Sequence, residues 1–81
     1  MQTIIPEQIR AARAMLKITA QELADAARIG VATVRRAELA AGESNHSKLV
    51  DFALRQALEG MGVDFIPETD DFGPGVRLRK A

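Results

Sequence analysis

Residues 19–38, TAQELADAARIGVATVRRAE, hold two short helical patterns separated by a three-residue break, and this constrains the fold more than any other stretch. Thr19 and Glu22 stand in T-x-x-E spacing, in which each side chain satisfies a free backbone N–H of a helix's first turn. Leu23, Ala24 and Ala27 then set an apolar face, with alanines small enough to let a second helix approach. Arg28-Ile29-Gly30 is the break. Gly30 is placed as the N-cap of the next helix, although glycine brings no side-chain acceptor. That helix is expected from Val31 to about Ala40. Val34 and Ala37 face inward, Thr33, Arg35 and Arg36 face elsewhere, and Gly42 is the stop signal. Two helices joined by so short a turn make a helix-turn-helix.

The flanks supply the rest of a small helical domain. Pro6 suits the first position of a helix, where its missing N–H costs nothing. Ile9, Ala12 and Leu16 recur on one helical face, which predicts a helix over residues 6–16. Residues 43–47 form a polar loop, in which Ser44 or Ser47 is expected to cap a fourth helix reaching about Glu59. Val50, Leu54, Ala57, Leu58 and Met61 make its apolar stripe, and Leu49, Phe52 and Ala53 widen it beyond the usual face. Gly60 and Gly62 are expected to end it. Val63–Ile66 and Val76–Arg79 are two short strands, the second alternating apolar and basic residues. Gly73-Pro74-Gly75 closes their connection. A lone two-stranded hairpin is marginal in water, so this one needs helix 4 or a second chain. The expectation is one mainly α domain over residues 1–81: about four helices within residues 6–60, the motif at 19–38, and a β-hairpin at 63–79.

The chain has 81 residues and no cysteine, so neither disulfides nor thiolate metal sites stabilise it. A domain this small buries only about 60–65% of its unfolded surface and depends on helix packing or on oligomerisation. Net charge is zero. Residues 1–42 carry six basic and four acidic side chains, and residues 43–81 carry five and seven, so any basic face is local. No apolar run approaches the ~20 residues that span a bilayer. No secretory pattern opens the sequence, and a cytoplasmic location without membrane partners is the expectation.

Residues 23–38 read L-A-D-A-A-R-I-G-V-A-T-V-R-R-A-E. This resembles the Cro/phage-repressor (XRE) family of DNA-binding regulators, whose usual pattern is L-A-x-x-A-G-V-S-x-x-T-[VI]-x-x-[IA]-E. The tail, A-L-E-G-M-G-V-D-F-I at 57–66 and G-V-R-L-R at 75–79, is similar to small bacterial members of the same family. The resemblance implies a lambda-repressor-like bundle, transcriptional control, and an ion pair between Arg13 and Glu38. The chain departs from the pattern in the turn, where Arg28 replaces the usual glycine and Gly30 a frequent serine. Should the backbone at Arg28 have positive φ, arginine carries a steric cost that glycine avoids.

A helix-turn-helix reads DNA through the start and exposed face of its second helix. Gly30, Val31 and Ala32 open that helix, and Val31 and Ala32 are candidates for thymine methyl contacts. Arg35 and Arg36 are candidates for paired hydrogen bonds to guanine. Thr33 and Gln21 are phosphate candidates, the latter near the N-terminus of helix 2. Arg10 is a further DNA candidate. Leu49, Phe52, Phe65, Val76 and Leu78 are the candidate dimer contacts. His46, the only histidine, is read as a solvated loop side chain, and Asp70-Asp71 as an acidic loop rather than a metal site. Arg77, Arg79 and Lys80 read as an exposed strand face. No catalytic constellation, phosphate loop or metal motif is present, so neither enzyme activity nor a cofactor is expected. Absence of Tyr and Trp argues against a base-stacking binder of single strands. The expected partners are double-stranded DNA and a second copy of the chain. The alternative is a protein-binding module (antitoxin, antiactivator or accessory subunit) that keeps the fold with weak or no DNA binding.

Overall fold

Four helices and one hairpin follow in chain order in the computed structural model, which describes residues 3–39 and 46–80. They are α1 (Pro6–Leu16), α2 (Ala20–Ala27), α3 (Val31–Leu39), α4 (Lys48–Gly60), β1 (Val63–Ile66) and β2 (Gly75–Leu78). The protein is a mainly helical small domain with a C-terminal two-stranded antiparallel hairpin.

Each helix starts where the chain offers its first turn a partner. Pro6 opens α1, and Gln8 reaches back so that its Oε1 accepts the Ile5 N–H at 2.9 Å. Thr19 Oγ1 accepts the Glu22 N–H at 3.0 Å, and Glu22 Oε1 accepts the Thr19 N–H at 2.9 Å, the reciprocal pair its spacing predicts. At α3, Gly30 contributes only its carbonyl, which accepts the Thr33 and Val34 N–H groups at 3.0 and 3.2 Å. Ser47 Oγ accepts the Val50 N–H at 3.2 Å and caps α4. Ser44, the expected stop at Gly42 and the expected helix end at Ala40 lie outside the described residues. α4 ends at Gly60, one residue beyond the expected Glu59. Gly62, at φ 101°, turns the chain into β1.

Both α1 and α2 stop on a basic residue in the left-handed region: Lys17 at φ 58°, ψ 42°, and Arg28 at φ 59°, ψ 44°. The next residue then closes the helix end. The Ile18 N–H reaches the Arg13 carbonyl at 3.2 Å, and the Ile29 N–H the Ala24 carbonyl at 3.1 Å. Ile18 and Ile29 pack against the core, so each turn is also anchored by an apolar side chain. The positive φ at Arg28 is the conformation for which the sequence pattern prefers glycine.

The core is drawn from every helix and from β1: Ile4, Ile9, Ala12, Leu23, Ala24, Val34, Ala37, Leu54, Leu58 and Val63 are buried. Ala12, Ala24 and Ala37 stand for α1, α2 and α3 respectively, and their small size permits close helix approach. In the hairpin Val63 pairs with Leu78, Asp64 with Arg77, Phe65 with Val76 and Ile66 with Gly75. Residues directly opposite share a face. Val63, Phe65, Val76 and Leu78 therefore form one side, and Asp64 with Arg77 (2.7 Å) the other.

Two polar side chains fasten distant segments. Gln8, only 5% exposed, donates from Nε2 to the Gly75 carbonyl at 3.0 Å and ties α1 to β2. Asp51 Oδ1 accepts the Ile4 N–H at 2.9 Å and lies 3.0 Å from His46 Nε2, while Oδ2 is 3.9 Å from Arg55 Nε. His46 is accordingly not the solvated loop side chain its polar neighbours suggest. Its side chain is 2% exposed and packed beside an acceptor.

Replacing Arg28 by glycine removes the left-handed cost and adds the unfolded-state entropy of glycine, for a net gain of about 0.5–1 kcal/mol. Thermal denaturation is expected to show Tm a few degrees higher. Asp51→Ala leaves the Ile4 N–H and the His46 ring without their acceptor, and urea titration is expected to show a loss of about 2–3 kcal/mol.

Candidate nucleic-acid interface

α3 buries Val34 and Ala37 and turns Ala32, Arg35, Arg36 and Leu39 outward. The outward residues recur at i, i+3, i+4 and i+7, a continuous strip along one helix face. Gly30 is exposed at the start of that strip. Val31 is half-buried and packs against the core, so less of it is open to a ligand than of Ala32. Thr33 is half-buried as well, and its Oγ1 accepts from Arg36 Nη2 at 3.3 Å. That bond draws the Arg36 guanidinium back along the helix, whereas Arg35 has no such tether among the described residues. Gln21 lies exposed in the first turn of α2, with Nε2 donating to Asp25 Oδ1 at 2.9 Å.

The strip is positioned by α1. Arg13 Nε and Nη2 donate to the Glu38 carboxylate at 2.8 and 3.0 Å, and Nη1 donates to the Ile18 carbonyl at 3.1 Å. One guanidinium thus joins α3 to the turn after α1 with a bidentate carboxylate contact, the strongest ion-pair geometry available to arginine. The hydrogen bond to Glu38 holds the Arg13 guanidinium above its ordinary pKa, against the smaller opposing effect of burial. Arg10, a DNA candidate, donates from Nη1 to the Glu38 backbone carbonyl. Its charge therefore sits at the C-terminal end of α3, where it opposes the negative end of the helix dipole.

Charge is unevenly neutralised. The ion pairs among the described residues are Arg13–Glu38, His46–Asp51, Arg55–Asp51 and Arg77–Asp64. None involves Arg28, Arg35 or Arg36, all of which are exposed. The arginines in the body and the hairpin are paired, and the turn and outer face of α3 carry arginines without a described carboxylate partner. Arg28 was not singled out for this role from sequence. It stands in the turn before α3 and lines a hollow with Leu49, Phe52 and Gly60 of α4.

The candidate dimer contacts separate into two groups. Leu49 and Phe52 on α4 are 82% and 62% exposed, and Leu78 is 39% exposed. Phe65 and Val76 are half-buried against the domain's own core, and the Arg55 guanidinium lies 5.2 Å from the centre of the Phe65 ring. Two further large apolar side chains, Leu39 and Phe72, are each 76% exposed. Sequence periodicity did not flag them, because Leu39 falls on the polar strip and Phe72 in the hairpin connection.

Among the described residues, no group of three or more His, Asp or Glu side chains is placed to hold a metal ion. None of the described helices is long and apolar enough to cross a membrane. No family model matches this sequence, and no match to a curated protein is found.

Arg13→Ala leaves the Glu38 carboxylate, 10% exposed, and the Ile18 carbonyl unpaired. Denaturant unfolding is expected to show a loss of about 2 kcal/mol. Arg13→Lys is expected to recover part of it, since an ammonium matches one carboxylate oxygen and not the fork.

Proposed function

We propose that the chain is a sequence-specific double-stranded DNA-binding transcriptional regulator that acts as a homodimer, with residues 31–40 as the recognition helix in the major groove. The observation that carries this reading is the outward strip of α3, with Arg35 and Arg36 exposed and without a described acidic partner. A helix about 10–12 Å wide fits a major groove of about 12 Å, and a strip of this kind faces the base edges there. The resemblance of residues 23–38 to the Cro/phage-repressor pattern supports the same reading and adds the regulatory role. Ala32 offers an apolar surface to a thymine methyl, and Arg35 a free fork to a guanine edge. Gln21 is the phosphate candidate at the start of α2. Arg10 contributes to that binding by holding the end of α3 rather than by reaching for DNA.

A protein-binding module is the second reading. The zero net charge and the exposed Leu39 beside the arginines favour it, since an exposed leucine side chain suits a protein surface better than a phosphate backbone.

Selection from randomised duplexes followed by gel shift tests the first reading. Enrichment of a two-fold-related site with half-sites about one helical turn, ~34 Å, apart is expected. No enriched sequence at low salt, together with co-purification of a stable protein partner, overturns it in favour of the second. On the selected site, Arg35→Ala is expected to cost about 1–3 kcal/mol of binding and to relax base choice at one position. Uniform weakening on every sequence, with a shallower salt dependence, instead assigns Arg35 to phosphate.

A further inference from the structure

α4 leaves one face uncovered. Leu54 and Leu58 point into the core, and at about 100° per residue Phe52 and Gln56 lie on the opposite side of the helix. Phe52 and Gln56 border two shallow hollows. One runs toward Ala26 and Ala27 of α2, and the other runs past Lys48, Arg55 and Glu59. A side-chain ridge flanked by grooves is the form in which a helix surface receives another helix.

We propose that this face pairs with the same face of a second copy, the two α4 helices running antiparallel about a two-fold axis. The proposal rests on the homodimer reading above and specifies its surface. Lys48 and Glu59 lie on the same flank of the exposed face, at opposite ends of α4. A two-fold axis perpendicular to both helices keeps each flank on its own side and exchanges the ends. Lys48 therefore meets Glu59 of the second copy, and the contact occurs twice. No ion pair among the described residues engages either side chain within one copy.

The other flank repeats the pattern in shape. Leu49 and Gly60 also lie at opposite ends, so Leu49 meets Gly60 of the second copy. A Cβ at Gly60 would find nothing within 4 Å, which leaves room there for a leucine side chain. The antiparallel arrangement also sets each helix N-terminus beside a C-terminus, which their dipoles favour. A parallel pairing, about an axis along the helices, exchanges the flanks, so Lys48 meets Leu49 and Glu59 meets Gly60 of the second copy and both complementarities are lost. This double complementarity, charge on one flank and size on the other, is internal to one helix and selects a second copy of the chain as occupant.

Sedimentation equilibrium on the full chain tests the pairing. The wild type is expected to dimerise. Lys48→Glu or Glu59→Lys alone is expected to weaken the dimer about tenfold, since each turns two attractive contacts into repulsive ones. The double variant is expected to return within about twofold of wild type. Both single changes suit the dipole of α4 itself, so a lost dimer does not reflect a lost helix. Gly60→Gln, which favours the helix, is expected to fold and to weaken association by filling the space that Leu49 takes. A wild type that stays monomeric, single variants that associate normally, or a double variant no tighter than the singles overturns the proposal. Gel shift on the same samples separates this from the DNA reading. Binding to half-sites by a monomer sinks the α4 pairing alone, and a charge-swap-sensitive dimer that retards no DNA sinks the DNA reading alone.

Discussion

The contact between Arg13 and Glu38 is the one on which the presentation of α3 depends. α3 is nine residues long, too short to be stable by itself, and it has no side-chain cap at its start. Its orientation is set by two buried residues, Val34 and Ala37, and by what α1 does at its far end. There Arg13 grips the Glu38 side chain and Arg10 the Glu38 carbonyl. Because Arg13 also bonds the Ile18 carbonyl, the same guanidinium stiffens the turn that leads into α2. A single side chain on α1 thereby fixes the relation among three helices.

This division of labour explains how a chain of zero net charge accommodates a basic face. Arginines on α1, α4 and β2 are matched by carboxylates or by carbonyls. Those on the α2–α3 turn and the outer face of α3 have no described ionic partner. Overall charge balance and local charge concentration are thus independent properties. The long-range field of such a molecule is weak, so steering of a charged partner by net charge contributes little.

The sequence shows the helices well because their boundaries are written in local chemistry. Pro6, the Thr19–Glu22 pair and Ser47 act within four residues of themselves, and the structure uses each of them. The hairpin is legible for the same reason, although β2 begins one residue early at Gly75. What was not legible depends on residues far apart in sequence. His46 reads as a loop residue because its neighbours are polar, but Asp51 is held in place by Ile4 across forty-seven positions. Gln8 has no local mark of its tie to Gly75. Phe65 and Val76 show the alternation of a strand, but alternation does not say whether the apolar side meets the domain's own core or another molecule. For the candidate site, the outward placement of Arg35 and Arg36 follows from the helical repeat, and the engagement of Arg10 by a backbone carbonyl does not.

The bond from Gln8 to Gly75 spans sixty-seven positions, and the one from Ile4 to Asp51 forty-seven. The helices nucleate from near neighbours, but α1 gains its full set of partners only after β2 exists. During synthesis on the ribosome, a nascent chain that has exposed only the first three helices therefore holds an α1 joined to α3 through Arg13 and Glu38 but still without β2, and an Ile4 without its acceptor on α4. Elongation at about 5–20 residues per second keeps that state open for seconds. Long loop closure also slows the final step relative to an all-local helical bundle. The last tie of α1, the helix that holds α3, is thus timed by the C-terminal hairpin, which lies well away from it in sequence.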